Sequence, residues 1–384
     1  MGLKRLVTRC ADLHNPLGGR YVIRRRSVQL LAVAVAMSCL AGHASASEGA
    51  ATYAPVNQAG PTLSVPQRTL DRAIACDQDP ATAHRDVILA IQTLALDSEE
   101  AYGWNYFPAF RSKGWPYCTV TVPEHATGDI QVAAEYIVNA IRRIHATSGH
   151  KVALFGWSEG ASTTPRWALR WWPDIRHMVS ALAGVAPVNE GGSDTAEVAC
   201  AAECVPAAWQ LVRRLDQSPP HFITAMNSGR QTFPEIAYTV VYTKLDEIAG
   251  LNVITTPVAP LPLAPNVVNV SLQDICPTQI FEHATIIASS VGYAVIMGAL
   301  AHPGELPDLT SINRRTVCSN PLMPTVTPVS LATNELKLVA LVAVRLTQHM
   351  IPREPPLKCY VYTNRTCPGV DEPIPAIPSL WRRH

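Results

Sequence analysis

The chain has 384 residues, 48% of them apolar and 16% charged, with a formal net charge of +1. That composition is globular and excludes a disordered or fibrous chain. It also offers no basic footprint of the kind that nucleic-acid binding needs. In chain order, residues 1–46 read as an export leader. Arg24, Arg25 and Arg26 precede the apolar run SVQLLAVAVAMSCLAG, and Ala44-Ser45-Ala46 supplies an A-x-A site. Cleavage is expected after Ala46, and the apolar run is too short for a membrane span. The string RRRSVQL is compatible with a twin-arginine signal, so both export routes stay open. Cys39 fits a lipid-attachment site poorly. Losing the leader removes seven basic residues and one acidic residue, which leaves a mildly acidic mature chain.

Residues 47–384 are expected to form one domain, because no polar or Gly/Ser-rich linker divides them. Residues 47–68, rich in Ala, Ser and Pro, read as a loose arm. Asp86–Ile91 (DVILAI) and Tyr117–Val122 (YCTVTV) read as strands. Asp129–Ser148 reads as a helix, with Ile130, Ala133, Ile137, Ala140, Ile141 and Ile144 spaced by three and four and Gly149 at its end. Lys151–Phe155 is the next strand. Pro165 is expected about two turns into the following helix, where it would kink it. Met178–Val185, Tyr238–Thr243 and Asn266–Leu272 are further strands, and 188–235 reads as irregular. Near-continuous apolar strands alternating with helices imply an α/β fold with a mostly parallel sheet covered on both faces. Ligand sites in such sheets lie at the carboxyl ends of the strands.

The strand Lys151–Phe155 runs into Gly156-Trp157-Ser158-Glu159-Gly160. Such a string can be an ordinary tight turn, since Gly and Ser are common there. Between a strand and a helix it is also the pattern of a nucleophile elbow, whose serine sits on a strained turn. A serine needs a base to activate it, and the base needs a third group to fix its tautomer. Asp246 lies just past the strand Tyr238–Thr243, and His283 follows Asn266–Leu272. The order Ser158, Asp246, His283 is that of elbow enzymes, so these are the expected nucleophile, orienting acid and general base. Singly, Asp246 could start a turn and His283 could be a surface histidine. Glu247 and Glu282 are substitutes in principle, with solvent-facing positions expected for both.

Eight cysteines follow the leader: Cys76, Cys118, Cys200, Cys204, Cys276, Cys318, Cys359 and Cys367. An even number in an exported chain suggests disulfides, though sequence alone does not connect them. No C-x-x-C pair accompanies a spaced histidine pair, so no zinc site is expected, and no other metal or cofactor is called for.

These residues resemble the Candida antarctica lipase B-like family of α/β-hydrolases. The family's elbow T-W-S-Q-G-G is matched by GWSEGA, and its helix string E-Y-M-V-N-A-I by Glu135–Ile141, EYIVNAI. Its D-E-I and D-H-A strings are matched at Asp246–Ile248 and at Glu282-His283-Ala284. Further matches are LDRAIAC at Leu70–Cys76, PDIR at Pro173–Arg176, VAP at Val185–Pro187, AAWQ at Ala207–Gln210 and RTCPG at Arg365–Gly369. Together they span roughly residues 68–370. The resemblance implies an α/β-hydrolase fold with a lid or cap segment at 188–235 and a C-terminal extension at 319–384. It implies the disulfides Cys76–Cys118, Cys276–Cys318 and Cys359–Cys367, the last closing a hairpin in that extension. Cys200 and Cys204 have no counterparts there; they could close a fourth ring in the lid if their Cα atoms come within about 7 Å.

One loop departs from the family. Its first oxyanion loop is P-G-T-G-T-T-G, whereas residues 90–97 here read AIQTLALD. Thr93 or Leu94 falls at the donor threonine, and the backbone N–H of Glu159 is the other expected donor. Glu159 stands where the family has glutamine, Val188 where it has aspartate and Leu211 where it has glutamine. The resulting expectation is a secreted or periplasmic serine hydrolase of carboxylic esters, lipase or esterase, with acyl transfer to alcohols as a variant. Its partners would be a small or lipid ester and, transiently, a lipid interface, with no nucleic acid and no partner subunit. The alternative is a catalytically lapsed α/β-hydrolase that binds a lipid or a partner, and the altered loop 90–97 speaks for it.

Overall fold

The structure is a computed structural model, which describes residues 53–192, 203–212, 219–249, 258–363 and 367. The leader, its cleavage site and Cys200 lie outside the described residues. Seven strands form one sheet: β1 (Ile74–Cys76), β2 (Val87–Ile91), β3 (Tyr117–Val120), β4 (Val152–Trp157), β5 (Val179–Val185), β6 (Ala237–Tyr242) and β7 (Val267–Ser271). Their order is β1-β3-β2-β4-β5-β6-β7. Every pairing is parallel except β1 with β3, which is antiparallel at the edge.

The central strands are apolar without alternation because both faces are covered. Successive side chains point to opposite faces. Val87, Leu89, Ile91, Val152 and Leu154 therefore join the helices Ile130–Ser148 and Thr163–Trp171 in one core. Ile88, Ala90, Ala153 and Phe155 join Tyr102, Tyr106, Phe110 and the helix Ser290–Ala301 in the other. Among the described residues no helix is long and apolar enough to cross a membrane.

Three expectations need correction. Residues 53–65 are not a loose arm. Tyr53 bridges Tyr362, Trp172 Nε1 donates to the Pro61 carbonyl, and the Ser64 hydroxyl donates to Glu135. Buried Arg170 and Arg176 donate to the Ala54 and Val56 carbonyls. Buried guanidinium groups need acceptors, and the arm's backbone supplies them. Pro165 does not kink a long helix. The chain breaks at Ser162, where φ is −138° and ψ −85°, and the helix Thr163–Trp171 begins there. Pro165 thus sits in a first turn, whose N–H groups lack intrahelical acceptors anyway. Finally, 188–235 is not wholly irregular, since it contains the helices Pro206–Leu211 and His221–Met226. Each has proline at or just before its start, a position that a missing N–H tolerates.

Candidate active site

The elbow joins β4 to a single turn, Ser158–Ala161. Ser158 has φ +55°, a left-handed conformation that is costly for a residue with a Cβ. The strain persists because the surroundings leave no slack. A Cβ on Gly156 would collide with the Gly160 carbonyl, and one on Gly160 would lie 2.6 Å from the Ile91 carbonyl. The Ser162 hydroxyl donates to the Ser158 carbonyl at 2.8 Å and accepts from Val188 N at 3.1 Å. Packed this way, the turn projects the Ser158 hydroxyl from the carboxyl edge of the sheet.

Two loops bring the partners to it. Asp246 lies beyond β6, fully buried, and its Oδ1 accepts from Ile248 N at 3.1 Å and Ala249 N at 2.6 Å. His283 lies beyond β7 and is 7% exposed. The Thr243 hydroxyl donates to the Phe281 carbonyl at 2.8 Å, which clamps the two loops together. Trp157 Nε1 donates to the His283 carbonyl at 3.0 Å, which clamps the histidine loop to the elbow. His283 Nδ1 then lies 2.9 Å from both carboxylate oxygens of Asp246, and its Nε2 lies 2.9 Å from Ser158 Oγ. The three expected residues are thus brought together. This geometry can move the Ser158 proton to Nε2 while Asp246 fixes Nδ1–H and balances the imidazolium.

The local fields are unequal. Burial lowers the affinity of His283 for a proton, but the charge and hydrogen bond of Asp246 outweigh it, with help from Glu247 and Glu282, and the pKa ends above its ordinary value. Neither glutamate substitutes for Asp246, and neither simply faces solvent. The Glu247 carboxylate accepts from His283 N at 3.1 Å, and Glu282 accepts from Ala284 N and Thr285 N at 2.7 and 2.8 Å. Glu159 is fully buried, and burial pushes its carboxyl up to about 8 against the pull of a hydrogen bond from Thr164.

Thr93 is buried at the same rim, next to Gln92, whose carbonyl lies against Gly160. The loop without glycines closes as a turn in which Leu96 N donates to the Thr93 carbonyl at 3.1 Å, with Ala95 at φ +62°. Gln92 braces the loop from inside: its amide donates to Asp97 at 2.8 Å and its carbonyl accepts from Val122 N. Arg345 braces it from outside, donating to the Ala95 carbonyl at 2.9 Å and to Glu100 at 2.6 Å. Sequence reasoning missed these supports, and it missed Tyr102, whose hydroxyl donates to the Ile91 carbonyl at 2.7 Å and accepts from Trp157 N at 3.0 Å. No local pattern marks bonds such as Trp157 to Tyr102 or Arg345 to Ala95, made across 55 and 250 residues.

Among the described residues, the one group of acids and histidines close enough to share a cation is Asp97, Glu100 and His125. Its members already pair within the protein, Asp97 with His125 at 2.9 Å and Glu100 with Arg345. Among the described residues the bridges Cys76–Cys118, Cys276–Cys318 and Cys359–Cys367 are present. Cys204 is also disulfide-bonded, while Cys200 lies outside the described residues.

No family model matches the chain. The chain is similar to lipase B of Pseudozyma antarctica, 27% identical over 242 residues, which are 62% of this chain and 69% of that protein. The resemblance to lipase B read from the sequence therefore stands. Its structure is similar to the crystal structure of Aspergillus fumigatus lipase B, with a TM-score of 0.70 and 23% identity, covering 82% of this chain and 76% of the other. The fold is the α/β-hydrolase fold.

Proposed function

We propose that the protein is a carboxylic-ester hydrolase of the lipase or esterase type that works through an acyl-enzyme on Ser158. The observation that carries this reading is the line of contacts Asp246–His283–Ser158, with both outer distances at 2.9 Å. Ser158 Oγ attacks the ester carbonyl carbon and its proton passes to His283 Nε2. The C–O bond to the alcohol breaks as the imidazolium returns that proton to the leaving oxygen. Water then attacks the acyl carbon, gives a proton to Nε2, and Ser158 leaves protonated. An alcohol in place of water gives acyl transfer by the same steps. The oxyanion donors in this reading are the backbone N–H of Glu159 and the residue Thr93. The similarity to lipase B supports an ester as substrate, and an apolar acyl chain would lie under the segment 188–235 acting as a lid.

Three disulfides support a site of action outside the reducing cytoplasm. Export by the leader 1–46, transient contact with a lipid interface and a monomeric state complete the proposal.

A fluorophosphonate tests it. The expected result is one adduct, on Ser158, and none in Ser158→Ala, with ester hydrolysis lost in the same variant. Absence of labelling at neutral pH, in protein that melts cooperatively, would favour the lapsed, lipid-binding reading instead. Substantial hydrolysis of short p-nitrophenyl esters by Ser158→Ala would remove Ser158 from the mechanism.

A further inference from the structure

Resting on that reading of Ser158, we propose that the Glu159 side chain is a positioning residue of the ester hydrolase: a carboxyl held neutral behind the nucleophile, whose ionisation shuts turnover down. Glu159 follows Ser158 directly and is fully buried. Its Oε1 accepts one hydrogen bond, from the Thr164 hydroxyl at 2.8 Å. Its Oε2 is buried with no hydrogen-bond partner. A neutral carboxyl tolerates that setting at modest cost. A carboxylate with one donor and one bare oxygen does not, because a buried charge needs several hydrogen bonds or a counter-ion.

Among the described residues no counter-ion faces it: burial and the Thr164 hydrogen bond are what act on it. The turn Ser158–Ala161 packs on β2, β4, β5 and the helix Thr163–Trp171. The three strands carry no titratable side chain. The helix offers Arg166 and Arg170, whose hydrogen bonds go to Asn189, Asn227 and Gln231 and to Ala54 and Ser228; Arg166 Nε and Arg170 Nη1 are buried without a partner, and neither arginine bonds Glu159. From the helix Ser98–Tyr102 comes the Tyr102 hydroxyl, which burial and then the charge of Glu159 push towards the neutral form. Asp97, at the start of that helix, is bonded to His125. Across Ser158 stand His283, paired with Asp246, and the acids around it, Glu247 and Glu282.

An anion here would sit on the residue whose own N–H is the proposed oxyanion donor. It would repel the charge that develops on the substrate oxygen, from a buried position that solvent screens poorly. It would also pull the elbow towards any available donor. Neutral, the same carboxyl has nearly the shape and polarity of glutamine. Turnover should therefore follow the protonated fraction of Glu159, with an alkaline limb near pH 8, where burial places its titration.

The test is the pH profile of Glu159→Gln against the wild type, each scaled to its own value near neutrality. Wild-type kcat/KM is expected to fall about tenfold by a pH one unit above the titration point, and the variant's to hold level through the same range. A variant with the same alkaline limb overturns the proposal. Fluorophosphonate labelling of both proteins separates the two readings. A labelled Ser158 with an unmoved limb removes the role of Glu159 alone, and an unlabelled Ser158 removes the esterase on which it rests. If Glu159→Gln does not fold, glutamate carboxyls labelled with carbon-13 in the wild type supply the second measurement. One resonance titrating near pH 8 supports the proposal, and all resonances titrating in the ordinary acidic range overturn it.

Discussion

A serine hydroxyl is a weak nucleophile until a neutral imidazole can take its proton. The environment of His283 decides the pH at which that condition is met. Burial works to keep the ring neutral, but Asp246 wins and raises its pKa above 6.5. Activity on the acid side should therefore rise through a midpoint higher than that of a free histidine. In Asp246→Asn the largest raising influence is gone and burial remains, so the midpoint should move down. The same variant should lose about 10⁴ in kcat, since Nδ1 no longer has a carboxylate to hold its proton in place. A kcat/KM profile from pH about 5 to 8 reads both effects; a midpoint that stays put in the variant would mean that Asp246 does not face the ring in solution. A raised histidine pKa also stabilises the fold below its unfolded value, and that part is lost as pH rises through the folded value. At this scale the sequence was informative about Ser158, Asp246 and His283, because a strand end is a place that periodicity can find. It marked Glu159 as a backbone donor but not the burial of its side chain, because exposure depends on what packs around a turn, here β2, β4, β5 and the following helix.

The elbow and the loop after β2 behave as one element. Gly160 touches the Ile91 and Gln92 carbonyls so closely that no side chain fits between them. Gly160→Ala must either push the loop out or rotate the elbow. Both disturb the region that holds Thr93 and the N–H of Glu159. The expected cost is about 1–3 kcal/mol of stability, as for overpacking elsewhere, and a fall in kcat larger than any change in KM. Thermal melting and initial rates would show it, and a variant with wild-type kcat would mean that the loop takes no part in catalysis. Strands β2 to β7 were legible from their apolar runs and the long helix Ile130–Ser148 from its period, with boundaries shifted by one or two residues; the three-residue edge strand β1 was not. The helices Pro206–Leu211 and His221–Met226 were not, because six residues are too few to show a period. The turn at Thr93–Leu96 was not legible either. Without glycine, nothing local announces Ala95 in the left-handed region, where Gln92 and Arg345 hold the loop around it.

Across the whole molecule, two disulfides of equal span do different work. Cys76–Cys118 and Cys276–Cys318 each close 42 residues, while Cys359–Cys367 closes 8. Loop-closure entropy assigns about 4 kcal/mol to each of the long pair and about 2.5 kcal/mol to the short one. The two long bridges should therefore shift a denaturant midpoint more than the short one when replaced by serine pairs. Their effects on catalysis should diverge. Cys76 and Cys118 face each other across β1 and β3, at the sheet edge away from β6 and β7, the strands that lead to Asp246 and His283. Cys276 begins the segment that leads to His283, and Cys318 lies in the helix Arg314–Ser319. Around that bridge Gln279 Nε2 donates to the Val317 carbonyl at 3.1 Å, the Ser290 hydroxyl to the same carbonyl at 2.7 Å, and Met323 N to the Ala288 carbonyl at 2.8 Å. These bonds hold both ends of the histidine loop against residues 317–323, and the bridge holds that stretch in place. The double variant Cys276→Ser with Cys318→Ser should thus lose stability and kcat together, since His283 would sample positions out of reach of Ser158 Oγ. Cys76→Ser with Cys118→Ser should lose a similar amount of stability at nearly constant kcat. Denaturant titrations paired with active-site titration by a fluorophosphonate separate the two cases, because both rates are then expressed per folded, labelled molecule. Equal kcat in the two double variants would show that the histidine loop is held by its hydrogen bonds alone.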